Sequence, residues 1–312
     1  MKFEVIIIGG GAAGISAALW CDELGLSALV LEAGEEFGGQ LLWTYNEIKN
    51  HLGIEAKNGR ELRDIFVRQI ENRRFEKRFG AKVSEIDLTE KSVILKNGEK
   101  FSTKTIIIAS GVRRRKLDVE GELKFQNKGI ITSGKLDAKK AAGKNVLIIG
   151  GGDAAFENAL ILAENSKSVT LAYRGTEFRA RTEFVEKAVK NPKIKILTET
   201  IIREIIGKEK VEAVELENPK TKSMQKYPFE AVLIRIGVEP NTEFLRGKID
   251  LDKNGYVRIN ENCETNMKDI FAIGDAANPL SPTISSAVGM GATAAKAITN
   301  FKLRIEESFR HL

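Results

Sequence analysis

At 312 residues, with 42% hydrophobic and 29% charged side chains, the chain has the length of two ordinary domains and the composition of a soluble globular protein. Two cysteines far apart, Cys21 and Cys263, exclude a disulfide framework and a CxxC metal site, and no apolar run reaches the roughly 20 residues of a membrane span. The net charge of +6 is scattered and lacks a nucleic-acid motif, which leaves solvated faces or a docking surface for an acidic protein partner.

The first apolar run, Phe3-Glu4-Val5-Ile6-Ile7-Ile8, ends in Gly9-Gly10-Gly11-Ala12-Ala13-Gly14, and an Ala-rich amphipathic segment follows. This predicts the strand, tight turn and helix of a dinucleotide-binding unit. Gly9 permits the turn, Gly11 lets a pyrophosphate approach the backbone, and Gly14 lets the helix pack close to the strand. A signal peptide is not expected where a core strand already stands, so the expected location is cytoplasmic. Cys21 in the first helix reads as a small buried thiol. The next apolar run, Ala28-Leu29-Val30-Leu31, closes in Glu32-Ala33, and Glu32 lies near the roughly 20-residue offset of an acid that binds a ribose 2′-hydroxyl.

Gly38-Gly39-Gln40-Leu41, with Trp43, Tyr45, Asn50 and His51 behind it, reads as a loop pressed against a flat ligand, His51 being either a packing residue or a group that tunes that ligand. Residues 59–79 read as one charged helix. Short strands are expected over 81–87, 91–95 and 100–103, the last two joined by an Asn97-Gly98 turn. A buried strand from Thr105 ends in Ala109-Ser110-Gly111.

The opening pattern then repeats. Asn145-Val146-Leu147-Ile148-Ile149 runs into Gly150-Gly151-Gly152-Asp153-Ala154-Ala155 and a helix to about Asn165, so the chain holds two nucleotide sites. The following strand, Ser168–Ala172, ends in Tyr173-Arg174 where an acid would favour NAD. Arg174, with Arg179 and Arg181 a turn later, suits the 2′-phosphate of NADP. Ala231–Gly237 is a further buried strand, and Val238–Thr242 a return crossing. Asp269–Ile273 delivers Gly274-Asp275 at a strand's carboxyl end. A last helix over about Ser285–Leu303 is rich in small residues.

In this order the motifs resemble those of two-dinucleotide-domain flavoprotein reductases. In detail the chain is similar to low-molecular-weight thioredoxin reductases and to the thioredoxin-reductase-like ferredoxin–NADP reductases, from Val5 to about Ala297. The resemblance implies an α/β fold of two Rossmann-like dinucleotide-binding domains in a thioredoxin-reductase-like architecture, a discontinuous FAD domain at 1–112 and 239–312, an NAD(P)H domain at 113–238, and a homodimer. For FAD it implies Gly9, Gly11, Ala12, Ala13, Gly14, Glu32 and Ala33, then Gly39, Gln40, Leu41 and Asn50, then Val83, Ala109, Ser110 and Gly111. Gly274 and Asp275 would hold the ribityl chain, and Thr283, Ile284 and Ser285 would face the pyrimidine edge of the ring. For NADPH, with NADH the alternative, it implies Gly150, Gly152, Asp153, Ala154, Ala155, Tyr173, Arg174, Arg179, Ile236 and Gly237, with Glu157 near the nicotinamide amide.

The departures shape the functional expectation. Where thioredoxin reductases of this type carry CxxC, this chain has Ser133-Gly134-Lys135-Leu136, so a dithiol relay is ruled out at that place. Asp137 then reads as a surface or capping residue. Arg174 is followed by Gly175 instead of a second arginine, and Pro282-Thr283 replaces a polar Arg-Gln before the last helix. No catalytic acid, base, nucleophile or metal ligand is expected. The expected activity is electron transfer from NADPH through FAD to a one-electron carrier, ferredoxin or flavodoxin, with Arg113-Arg114-Arg115-Lys116 as a docking patch or a solvated linker. The alternatives are a flavin-dependent reductase or oxidase of a small molecule (quinone, flavin or dioxygen) and a non-catalytic nucleotide or redox sensor. Trp43, Tyr45 or Phe309 is the candidate cover for the flavin, and the expected hinges are Gly111–Lys116 and Gly237–Thr242.

Overall fold

The computed structural model describes the backbone of residues 3–310 and the side chains of residues 3–300. The chain divides into two compact units, Met1–Arg113 with Glu239–Leu312, and Arg114–Val238.

The first unit opens with β1 (Phe3–Ile8), α1 (Ala12–Glu23) and β2 (Ala28–Leu31). Then come α2 (Gly59–Ile70), β3 (Glu76–Arg78), β4 (Val83–Asp87), β5 (Ser92–Leu95) and β6 (Lys100–Ile108). The chain crosses through β7 (Val112–Arg114) into the second unit, which holds β8 (Ile130–Ile131), α3 (Ala138–Ala141), β9 (Asn145–Ile149), α4 (Asp153–Ala163), β10 (Ser168–Ala172), α5 (Thr182–Lys190) and β11 (Ile194–Leu197). It continues with β12 (Ile201–Ile206), β13 (Ala213–Glu217), β14 (Met224–Tyr227) and β15 (Ala231–Ile234). After the return crossing β16 (Val238–Pro240), which pairs with β7, the first unit is completed by β17 (Ile270–Ala272) and α6 (Ile284–Arg310).

In the first unit the strand order is β3-β2-β1-β6-β5-β4, with β17 also on β6. Ile6 stands opposite Leu29 and Ile106 in parallel register, and Ile106 opposite Ile270. Val5, Ile6 and Ile7 are fully buried, as a parallel strand covered on both faces requires. One face packs on α1 and α6, where small residues let two helices touch: a Cβ at Gly291 would stand 2.7 Å from the Ala13 carbonyl oxygen. The other face packs on Leu245, Ile249 and Val257, which arrive after the return crossing. The second unit is a parallel sheet, β11-β10-β9-β15-β8, with a three-stranded antiparallel sheet β12-β13-β14.

The expected helix over 59–79 is shorter. It starts where Asn58 Oδ1 accepts from the Glu61 N–H at 3.0 Å, and it stops at Ile70. Arg73 and Arg74 then turn toward Asp22, and Glu76–Arg78 adds a strand beside Leu29–Leu31. The two strands expected around residues 100–111 are one, β6, whose first half pairs antiparallel with β5 and whose second half pairs parallel with β1. Among the described residues no helix is long and apolar enough to cross a membrane.

Candidate dinucleotide sites

The first cradle forms where β1 meets α1. Gly9 has φ +109°, and a Cβ there would stand 2.3 Å from the Ala109 carbonyl oxygen, so only glycine fits. A Cβ at Gly14 would stand 1.9 Å from the Gly9 carbonyl oxygen, which seats α1 hard against the turn. Gly11 differs: its added Cβ would meet only Gly39 Cα, at 3.9 Å. Gly11 also bridges to Gly38, so two glycine segments that carry no side chains lie side by side. No side chain caps α1, and its first turn holds no acid. Its N–H groups and the positive end of the helix dipole therefore suit a diphosphate.

Around this turn the other residues take distinct places. Glu32 fixes two backbone groups, accepting from Gly10 N–H at 2.6 Å and Gly34 N–H at 2.7 Å. Each carboxylate oxygen keeps a further lone pair for a ribose hydroxyl. Ala33 beside it is exposed. Val83 begins β4, two residues after Ala81, whose N–H donates to the Glu32 carbonyl at 2.8 Å. Leu41 is buried, Gln40 donates to the Val112 carbonyl at 2.7 Å, and Asn50 is exposed. The Ser110 hydroxyl is buried without a hydrogen-bond partner, and the half-buried Asp275 has no protein partner among the described residues. Burial pushes the Asp275 carboxyl above its ordinary value. A buried hydroxyl and a carboxylate awaiting donors are what a polyol chain would satisfy, so these residues fit FAD. Thr283 caps α6: its Oγ1 accepts from Ser286 N–H at 3.2 Å, and Ser286 Oγ accepts from Thr283 N–H at 3.3 Å. His51 Nδ1 lies 3.0 Å from Ser285 Oγ, so His51 joins the loop to this helix start as well as packing on Phe66.

Sequence alone gives Asn241 no role beyond the return crossing Val238–Thr242. It donates from its side chain to Ser110 O at 2.9 Å and from its backbone to Gly111 O at 3.0 Å, fixing the end of β6. The sequence signal for it is the turn-forming pair Pro240-Asn241.

In the second unit Gly150 has φ +146°, and its Cβ would stand 2.1 Å from the Arg235 carbonyl oxygen. Gly152 faces open space at the start of α4, next to Ala154 and the buried Ala155. Asp153 is engaged by Arg181, through its N–H at 2.7 Å and Nε at 2.9 Å. Arg181 is therefore a structural partner and lies over Phe184 at 4.3 Å. Arg174 and Arg179 are exposed with no side-chain partner among the described residues, while the Arg179 N–H donates to Gly151 O at 2.8 Å. Tyr173 packs its ring on the turn: a Cβ at Gly151 would stand 2.5 Å from it, and one at Gly175 2.8 Å. That ring explains why glycine follows Arg174. Glu157 is half-buried on α4 and has a partner. Ile236 is partly buried in the core of this unit, and Gly237 O accepts from Arg115 N–H at 3.1 Å.

Asp137 is not a surface residue. It is 1% exposed, and its Oδ2 accepts from Thr132 N–H at 2.8 Å, Thr132 Oγ1 at 3.0 Å and Ser133 N–H at 3.2 Å, with Lys140 Nζ 2.7 Å from Oδ1. Burial opposes its charge, but Lys140 and these donors outweigh it and hold the carboxyl below its ordinary range. Its four-residue reach fixes the turn Ser133-Gly134-Lys135-Leu136.

The model for the family described as pyridine nucleotide-disulphide oxidoreductase matches residues 3–293. The chain belongs to this family. It is 34% identical over 298 residues to a thioredoxin reductase of Mycolicibacterium smegmatis, covering 93% of this chain and 94% of that protein. It is 30% identical over 295 residues to a 34.2 kDa protein in the rubredoxin operon of Clostridium pasteurianum, covering 94% and 95%. The crystal structure of Lactococcus lactis thioredoxin reductase superposes with a TM-score of 0.86 at 33% identity, covering 97% of this chain and all of that one. FAD and NADPH are the cofactors of this oxidoreductase.

The oxidoreductase has no dithiol to match. Cys21 and Cys263 are both buried, Cys21 pushed up to about 12 by burial and the Glu4 charge, and Cys263 to about 11 by burial. The expected Arg113–Lys116 docking patch is largely committed elsewhere. Arg113 pairs with Glu239 and Glu243, Arg114 donates to Thr132 O and Arg115 to Val238 O. Nor is the charge evenly scattered: Arg114–Val238 carries 24 Lys and Arg against 17 Asp and Glu, more than the whole excess of the chain. Trp43 is 54% exposed and Tyr45 half-buried, and the Phe309 side chain lies outside the described residues.

Proposed function

We propose that the chain is an FAD-dependent NADPH oxidoreductase whose flavin hands electrons directly to a separate acceptor, a one-electron carrier of the ferredoxin or flavodoxin type. FAD belongs on the first unit in this reading, supported by Gly11, Ser110 and Asp275, and NADPH on the second, supported by Gly152, Arg174 and Arg179. The flavin, when bound, accepts a hydride and can release electrons singly. The chain's own residues bind and orient. The α1 N–H groups hold a diphosphate, Glu32 a ribose, Asp275 a polyol, and the capped start of α6 offers its positive end to charge on a ring edge.

The observation that carries the reading is the pair of buried, separated cysteines, which leaves no thiol to relay electrons. The net positive second unit suits an acidic carrier. The names of the relatives favour a second reading, thioredoxin as acceptor. Anaerobic NADPH oxidation with ferredoxin, flavodoxin, rubredoxin or thioredoxin in turn separates the two. Ferredoxin or flavodoxin turnover that falls with salt supports the first, and turnover with thioredoxin alone overturns it.

A further inference from the structure

Away from the two cradles, the second unit holds a cavity of about 180 Å³. It lies at the amino edge of the parallel sheet, where β8, β15 and β9 begin with Ile130, Ala231 and Asn145. The fingerprint turn at Gly150 leaves the opposite, carboxyl edge, a strand of 5 residues or about 16 Å away. None of the residues lining the cavity belongs to either cradle. An apolar cavity of about 150 Å³ holds one benzene ring, and drug-sized ligands take about 300 Å³ or more. The space here therefore suits a molecule of about six to eight non-hydrogen atoms.

Ile130, Ile131 and Ala231 give the cavity an apolar wall, and Lys140, Lys144 and Glu230 give it charge. Lys140 is already paired, with its Nζ 2.7 Å from Asp137 Oδ1. Lys144 is half-buried, and its ammonium, which carries three donors, has no partner among the described residues. Glu230 Oε2 accepts from the Asn145 N–H at 3.0 Å, the peptide group that directly follows Lys144. Its other oxygen has no donor, and no cation pairs with it among the described residues. A cation and an anion thus line one cavity, each without its counter-charge. A simple anion would satisfy Lys144 but face the repulsion of Glu230, and a simple cation would do the reverse. A molecule carrying both charges answers both groups.

We propose that this cavity binds a free α-amino acid with a small aliphatic side chain. Its carboxylate would take the Lys144 ammonium, its ammonium the Glu230 carboxylate, and its side chain would lie on Ile130, Ile131 and Ala231. Both polar contacts are charge-assisted, and the apolar wall selects against a polar side chain. The site stands on the second unit alone and does not depend on which acceptor the flavin serves.

The test titrates the FAD-loaded enzyme with L-valine by calorimetry at constant ionic strength. Valine is expected to bind saturably, and to do so equally with NADPH present. Lys144→Gln and Glu230→Gln should each weaken it about fivefold or more, the loss of one partly exposed charge contact. The amide introduced at position 230 keeps an oxygen for the Asn145 N–H, so both variants should unfold at the urea midpoint of the unaltered protein. Two analogues test the same point without any substitution. Isovalerate, which lacks the ammonium, and isobutylamine, which lacks the carboxylate, should each bind the unaltered enzyme about fivefold or more weakly than valine. No saturation by valine up to about 10 mM overturns the proposal. So does equal binding of valine and isovalerate, valine binding unchanged in either variant, or displacement of valine by NADPH.

Discussion

Asn158 Oδ1 accepts a hydrogen bond of 2.7 Å from the Gly134 N–H while Asn158 Nδ2 donates to the Ala154 carbonyl at 2.6 Å. One buried amide thereby ties the Ser133 turn to the helix that opens the second fingerprint. A Cβ at residue 134 would stand 2.6 Å from that oxygen, so the glycine and the asparagine require each other. Asn158→Ala leaves a buried N–H without an acceptor and is expected to cost about 1–3 kcal/mol. A lower urea midpoint with unchanged slope is the readout, and an unchanged midpoint would show that the turn holds without it.

Asp137 gives the same turn a pH dependence. Its folded pKa lies below the ordinary carboxylate value, so the unfolded chain binds the proton more readily. Its contribution is present above about pH 4, the unfolded value, and is lost as pH falls through the folded value. Asp137→Asn is expected to be less stable by about 1–3 kcal/mol at neutral pH. The gap to the unaltered protein should close in acid; a gap constant from pH 7 to pH 3 would contradict the assignment.

Gly11 and Gly14 make opposite predictions. Gly14→Ala places a methyl 1.9 Å from the Gly9 carbonyl oxygen and should destabilise even the cofactor-free protein by about 1–3 kcal/mol or more. Gly11→Ala meets only Gly39 Cα at 3.9 Å, at an ordinary φ of −75°. It should leave the cofactor-free melting temperature unchanged and lower the FAD retained through gel filtration. Equal FAD retention by Gly11→Ala and the unaltered protein would remove Gly11 from the diphosphate site.

The two buried cysteines make a spectroscopic prediction. Both thiols are raised by burial, so at pH 8 the native protein should react slowly with a disulfide reagent and quickly once unfolded. Cys21→Ala and Cys263→Ala should each keep NADPH-driven flavin reduction. The sign follows from linkage. A folded pKa of about 12 against an unfolded value near 8.5 means stability is intact below about pH 8.5 and declines above it, and Cys21→Ala should flatten that alkaline limb.

What could be read from sequence divides along one line. Fully buried parallel strands such as Ile6-Ile7-Ile8 and Leu147-Ile148-Ile149 announce themselves as apolar runs, and the glycines after them mark the turns, because backbone geometry alone forces both choices. Side-chain commitments between distant residues leave no such trace. Nothing near Arg181 says that Asp153 will hold it, and nothing near Arg113 says that Glu243 will. Short elements mislead for the same reason: Glu76–Arg78 is wholly exposed and becomes a strand only because Leu29–Leu31 offers an edge.

Arg174 and Arg179 remain available where Arg181 does not, and on the proposed reading these two arginines set the nucleotide preference. Each can supply a charge-assisted hydrogen bond to a 2′-phosphate, worth about 1.5–3 kcal/mol or roughly 10–100-fold in affinity. Arg174→Ala and Arg179→Ala are therefore expected to raise KM for NADPH by about that factor and to leave NADH, which lacks the phosphate, within about twofold. Arg181→Ala should behave differently, loosening the Asp153 contact and lowering stability, with equal effects on both nucleotides. Equal losses for NADPH and NADH in the Arg174 and Arg179 variants would place the 2′-phosphate elsewhere.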